Sequence, residues 1–173
     1  DMLADMTDLV EGTLTARGYD HYEVSGYAQP GRRCRHNLNY WTYGDYLAIG
    51  AGAHAKVTDF TKGEILRYCD VANPLRYIER VNETRRGLEE EFVVAPEEIP
   101  FEFMLNVLRL VEGVPAELFK SRVSAVKEGL DWAKVDVTLA KLRREGLLVA
   151  DTTRIATTEK GLRFLSDVQE AFL

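Results

Sequence analysis

Apolar residues recur at positions 2, 6, 9, 10 and 14 (Met2, Met6, Leu9, Val10, Leu14), the spacing of one helical face, and Gly18 stands where such a helix would stop. Tyr22-Glu23-Val24-Ser25-Gly26-Tyr27 then alternates like a strand. Arg35-His36-Asn37-Leu38-Asn39-Tyr40-Trp41 and Tyr46-Leu47-Ala48-Ile49, followed by Gly50-Ala51-Gly52-Ala53-His54, predict a strand, a connection, a second strand and a tight glycine turn. Ala55–Phe60 and Glu64–Tyr68 flank Thr61-Lys62-Gly63 as a hairpin. Asn73-Pro74 caps a helix that runs to about Asn82, with Leu75, Ile78 and Val81 along one face.

The character changes over 84–99. Three successive glutamates (Glu89, Glu90, Glu91) and Pro96-Glu97-Glu98-Ile99-Pro100 read as an acidic linker between residues 1–83 and a helical domain over 100–173. Phe101–Glu112 is helical up to Gly113, Pro115 starts a short helix through Phe119, and a longer helix covers Val135–Glu145 before Gly146. Leu147–Ala150 and Arg154–Ala156 flank Asp151-Thr152-Thr153 as a hairpin, and a last helix runs from Thr158 to about Phe172. The fold class is α+β, with a winged-helix-like outline in the C-terminal third.

Composition narrows the function classes. A net charge of −6 and a pI near 5.2 argue against a general nucleic-acid binder, which needs a concentrated basic face. The would-be recognition helix, Asp136–Glu145, has three basic residues against two acidic ones, which favours an accessory packing role over groove reading. Cys34 and Cys69 suit neither a CxxC-type metal pattern nor a disulfide scaffold. No apolar run reaches the roughly 18 residues of a membrane span, and no signal-type segment opens the chain, so a cytoplasmic location is expected. Helix into strand from the first residue reads like the middle of a βα series, so a longer parent is expected.

Gly50-Ala51-Gly52-Ala53-His54-Ala55 fits GxGxxA, but Lys56-Val57-Thr58-Asp59-Phe60 is β-branched rather than helix-opening, so the dinucleotide reading is rejected. Small residues that let a backbone or ligand come close are preferred there. On a strand, His36, Leu38 and Tyr40 share one face and Asn37, Asn39 and Trp41 the other. His36 is then either a satisfied structural histidine or a ligand of haem iron, with Cys34 and His54 as weaker alternatives. Glu23 and Ser25 near a strand end suit a barrel-type site or simple surface positions. The three histidines form no HExxH, there is no GxSxG, and no catalytic residue is assigned.

Tyr22–Gly31, His36-Asn37-Leu38-Asn39-Tyr40-Trp41, Gly44–His54 and Phe101–Gly113, taken together, closely resemble the HemW proteins. These are haem chaperones long labelled oxygen-independent coproporphyrinogen III oxidase-like, within the radical S-adenosylmethionine superfamily. HNxxYW is the most specific piece. The resemblance implies the last helix and strand of a partial (β/α) barrel plus a small antiparallel sheet, then the helical C-terminal domain. It implies a parent that binds a 4Fe-4S cluster and S-adenosylmethionine, although this sequence has no CxxxCxxC. It makes His36 the leading haem ligand, with Asn37, Tyr40 and Trp41 haem-binding and Glu23, Ser25, Gly50, Gly52 and His54 near a cofactor. Arg32, Arg33 and Arg35 would meet propionates. The implied partners are haem and a recipient haemoprotein, with oligomers possible at a cut sheet edge. The chain alone is expected to do no radical chemistry. A coproporphyrinogen III oxidase parent and a winged-helix DNA or protein adaptor are the alternatives.

Overall fold

In the computed structural model, which describes residues 2–126 and 128–173, the chain is a mixed α/β structure with small antiparallel sheets. Helix α1 (Met2–Thr15) ends short of Gly18, whose φ of 77° reverses the chain. The expected single strand over 22–27 is instead a hairpin, β1 (Asp20–Glu23) with β2 (Gly26–Ala28). Ser25-Gly26 is a turn signal inside the alternation, and it wins locally. Leu110 bridges to Glu23, and Val24 N–H donates to the Arg109 carbonyl, which ties this hairpin to a distant segment.

The largest correction falls on residues 35–41. They form a helix, α2 (Arg35–Trp41), not a strand. Leu38 and Trp41, three apart, both pack against the core, so the buried stripe has helical spacing. The expected second strand is also absent as such. Only Tyr46 pairs, through an isolated bridge to Lys56, and Ile49 beside it is 87% exposed.

Strands β3 (His54–Asp59) and β4 (Glu64–Asp70) form the hairpin that their sequence predicts. Helix α3 (Pro74–Thr84) follows, with the Asn73 side chain accepting from Leu75 N–H and Arg76 N–H. The stretch expected as an acidic linker carries a strand, β5 (Leu88–Val93), which completes the sheet order β3-β4-β5. Its glutamates misled because an edge strand tolerates exposed charge.

Helix α4 (Ile99–Val107) is apolar on most sides because it is buried on most sides: Phe103, Met104 and Val107 are sealed from solvent. Beyond it, β6 (Val114–Pro115) leads to α5 (Glu117–Arg122) and α6 (Trp132–Arg144). Strand β7 (Arg154–Ile155) pairs with β6, while Leu148 bridges to Thr157, so the predicted 147–156 hairpin is made but its main strand partner lies elsewhere. Gly113, with φ 64°, is required there, since a Cβ would run into the Ile155 carbonyl. The expected last helix is broken at Phe164 into α7 (Glu159–Arg163) and α8 (Leu165–Glu170). A single hydrophobic cluster joins Tyr43, Ile65 and Val94 to Phe103, Leu139, Val168 and Phe172. Among the described residues no helix is long and apolar enough to cross a membrane.

Candidate functional site

As a helix, the signature segment sorts its side chains differently from a strand. His36 and Tyr40 lie one turn apart on one face, and Asn37 and Trp41 on another. The His36 and Tyr40 rings meet edge-on at 4.6 Å, and Tyr40 packs on Tyr46 at 4.2 Å. His36 is exposed, and among the described residues nothing hydrogen-bonds its ring nitrogens. The outer end of this aromatic row is therefore an imidazole open to solvent.

The inner end is fixed by charge. Arg67 Nη1 donates to the Tyr46 hydroxyl at 2.7 Å, and Arg67 Nη2 pairs with Glu102 Oε2 at 2.8 Å. Burial works against the Arg67 charge, but the Glu102 carboxylate overrides it and leaves the guanidinium more basic than usual. Tyr43, sealed in the core, donates its hydroxyl to the same carboxylate oxygen at 2.9 Å. Its burial, with Glu102 adding to it, pushes the phenol far above the ordinary tyrosine range.

Trp41 and Asn37 hold the helix to the rest of the chain. The Arg109 guanidinium stacks over the Trp41 ring at 4.4 Å, and Arg109 Nη2 reaches Glu23 Oε2 at 3.3 Å. Asn37 Nδ2 approaches the Tyr22 hydroxyl at 3.4 Å. Glu23 is buried in this contact and Ser25 lies exposed beside Arg109, so the structure joins both to Trp41 rather than to His36. Of the three arginines, Arg33 is committed to Glu112 in a two-point pair with both contacts at 2.7 Å. Arg32 and Arg35 lie exposed near the start of α2.

The turn after α2 is pinned by an ion pair whose cation is buried and whose carboxylate reaches solvent. Lys56, 1% exposed, donates from Nζ to Asp45 Oδ1 at 2.7 Å and to the Tyr43 carbonyl at 3.2 Å. Burial pulls the Lys56 ammonium below the ordinary lysine range, with Asp45 only partly opposing it. Burial acts to raise Asp45, but hydrogen bonds from Lys56 and Thr58 outweigh it and hold the carboxyl below its usual value. The glycine corner lies farther along. Gly50 and Gly52 take positive φ (109° and 71°), Gly52 N–H donates to the Val71 carbonyl, and β3 starts at His54 with no intervening helix. His54 is exposed, and Cys34 precedes α2 without capping it.

One motif singles out His36, Asn37, Tyr40 and Trp41 in the sequence, but nothing there points to Arg67, Glu102, Lys56 and Arg109, which the structure brings against the same helix and turn. Those four act through partners remote in sequence, for which no local spacing exists.

Residues 94–164 match the HemN C-terminal domain. The chain is 40% identical to heme chaperone HemW of Haemophilus influenzae and 38% identical to heme chaperone HemW of Escherichia coli, over its full length in both. Over its whole length it is similar to one part of these HemW proteins. It spans about two fifths of the length of these relatives, 42% and 43%. Among solved structures, E. coli coproporphyrinogen III oxidase (HemN), described as a radical SAM enzyme, shares the fold over 98% of this chain and 40% of that one. The TM-score is 0.65 and the identity 16%.

Proposed function

We propose that this chain holds haem noncovalently for delivery to a recipient haemoprotein, as part of a chaperone. The observation that carries this reading is the helix α2, which presents an exposed His36 imidazole with Tyr40 and Tyr46 ranked behind it. A neutral imidazole with a free nitrogen is a haem-iron ligand. Asn37 and Trp41 anchor the helix that carries His36, Tyr40 would pack against a bound macrocycle, and Arg32 and Arg35 would be at hand for its propionates. The heme chaperone names of the relatives support it.

In this reading α1 and the first hairpin continue a partial (β/α) barrel, and the region beyond α4 is winged-helix-like. A 4Fe-4S cluster and S-adenosylmethionine belong to the longer parent. The two cysteines present, Cys34 and Cys69, do not make the clustered thiolate set such a cluster needs. The cell compartment proposed is the cytoplasm. A coproporphyrinogen III oxidase activity would draw only on the fold shared with HemN.

Titrating haem into the chain and into His36→Ala tests the assignment. The expected result is an altered Soret band and at least a tenfold weaker affinity, about 1.4 kcal/mol, for the variant. Identical spectra and affinities would remove His36 from the ligand role.

A further inference from the structure

Strand β5 (Leu88–Val93) is the end strand in the order β3-β4-β5, and every residue from Glu89 to Val93 is exposed. Its hydrogen-bonding groups face two ways. Val94 N–H donates to the Ile65 carbonyl, and in an antiparallel ladder the bonded pairs alternate. Phe92 and Glu90, opposite Arg67 and Cys69, therefore bond inward to β4. The backbone N–H and C=O groups of Glu91 and Val93 point away from the sheet, and among the described residues no strand pairs with them. A row of unpaired backbone groups is a template for another strand.

The side chains select the kind of strand. Glu89, Glu90 and Glu91 stand together on this edge, and among the described residues the cation that pairs with them is Arg86, whose Nη2 meets Glu91 Oε2 at 3.1 Å. Glu90 and Phe92 also line a hollow of about 380 Å3 that Tyr46 and Glu102 help to wall. Arg67, in the same wall, is held by Glu102 at 2.8 Å, so Glu90 has no counter-charge there. Aromatic rings beside a carboxylate suit a cationic side chain. The same edge repels nucleic acid and an anionic membrane surface. It also repels a second copy of itself, because β5 laid against β5 sets glutamates against glutamates. Glutamates alone would only discourage pairing, but Phe92 and Val93, each 47% exposed, add apolar contact on the two faces of the strand.

We propose that the free edge of β5 docks an extended basic segment of a second protein, which adds as a fourth strand and lays a lysine or arginine side chain into the hollow beside Glu90. Residues opposite Glu89, Glu90 and Glu91 are basic and those opposite Phe92 and Val93 apolar. The segment therefore reads as a basic run adjoining an apolar run, in an order set by its direction. Backbone hydrogen bonds supply affinity for any extended chain, and the ion pairs choose among partners. This surface goes beyond the haem-holding function and does not depend on it.

Fluorescence anisotropy of labelled peptides titrated with the whole, haem-free chain is the test. The probes are peptides as long as β5 that carry a lysine run beside a valine run, in both orders. Controls replace lysine by glutamate, or place a proline at the centre, which cannot complete a ladder. The lysine–valine peptide is expected to bind in at least one order. Binding should weaken at least about tenfold with either control peptide, and equally against Glu90→Gln with Glu91→Gln. Val93→Pro removes an N–H that β4 does not use and should weaken it similarly. Circular dichroism checks folding, and the two glutamine substitutions, both at exposed positions, carry the test if Val93→Pro does not fold. No binding in either order overturns the proposal. Equal binding by the proline peptide overturns it too, since charge attraction alone needs no ladder. Binding that survives Glu90→Gln with Glu91→Gln places the peptide elsewhere and overturns the site. Self-association in the ultracentrifuge that Val93→Pro abolishes gives the edge to a second copy instead. All arms run without haem, so none of these outcomes bears on His36.

Discussion

Lys56 holds an ammonium in the interior, where it meets Asp45 at 2.7 Å, and the two partners are unequally exposed: 2% of the lysine side chain against 43% of the aspartate. Removing either member of the pair should therefore cost different amounts. Asp45→Asn leaves a buried cation without its counter-charge; breaking a fully buried pair costs about 3–5 kcal/mol, and solvent screening at the half-exposed carboxylate puts the expected loss here at roughly 2–3 kcal/mol. Lys56→Met leaves only a half-exposed carboxylate, which water can take up, and replaces the charge with an apolar group of similar length. Denaturant unfolding should show Asp45→Asn to be the less stable variant by more than about 1 kcal/mol, and equal losses would contradict the asymmetry. The pH dependence has a definite sign. The folded Asp45 carboxyl titrates below its unfolded value, so its stabilisation is present above about pH 4 and is lost as pH falls through the folded value. Asp45→Asn should flatten that acid limb. Lys56, lowered by burial, acts on the alkaline side, where stability gains as pH rises through its folded value. Nothing in the sequence around Lys56 announces this, because a lysine on a strand is ordinarily a solvated one.

At the scale of elements, the stretch that carries the HNxxYW motif reads as a strand in the sequence and is a helix in the structure. HNxxYW was legible as a motif, but a helix as short as α2 (Arg35–Trp41) has little intrinsic stability. It forms because Leu38 and Trp41 pack, partly buried, against the core, and because the turn after it closes tightly. Gly44 belongs to that closure. Asn39 Nδ2 donates to the Asp45 carbonyl at 2.9 Å, and a Cβ at position 44 would collide with the Asn39 amide. Gly44→Ala should cost about 1–3 kcal/mol as overpacking. In an Asn39→Ala background the same change should cost less but not nothing, because the amide is gone while the Asn39 backbone carbonyl still lies 2.9 Å from the new Cβ. A double-mutant cycle measures the coupling, and simple additivity would contradict it. Elements with local signals read better. The Asn73-Pro74 cap, the β3–β4 hairpin and the glycine stops needed no tertiary knowledge, whereas β5 and the β6–β7 pairing depend on partners far along the chain.

Across the whole molecule, the composition break over 84–99 suggests two units, yet the hydrophobic cluster runs through it. Tyr43 and Ile65 on one side and Phe103, Leu139, Val168 and Phe172 on the other pack as one core. Arg67 and Glu102, and Tyr43 and Glu102, add polar ties across the same boundary. A core shared in this way unfolds as a unit, because neither side keeps a buried face once the other leaves. The chain's two tryptophans allow a direct check. Trp41 sits beneath Arg109 on α2, while Trp132 packs on Phe119 at 5.1 Å at the start of α6. Fluorescence melts of Trp132→Phe report the first region, and those of Trp41→Phe the second. Within each variant, that signal should coincide with the far-ultraviolet circular dichroism transition, which averages over all helices. Adding Phe103→Ala, worth about 3–5 kcal/mol, should shift both tryptophan signals by the same free energy. A Trp132 signal that stays in place while the Trp41 signal moves would mean that the helical region folds alone. Helix α2 would then be carried by a separate unit, and its geometry would no longer depend on α4.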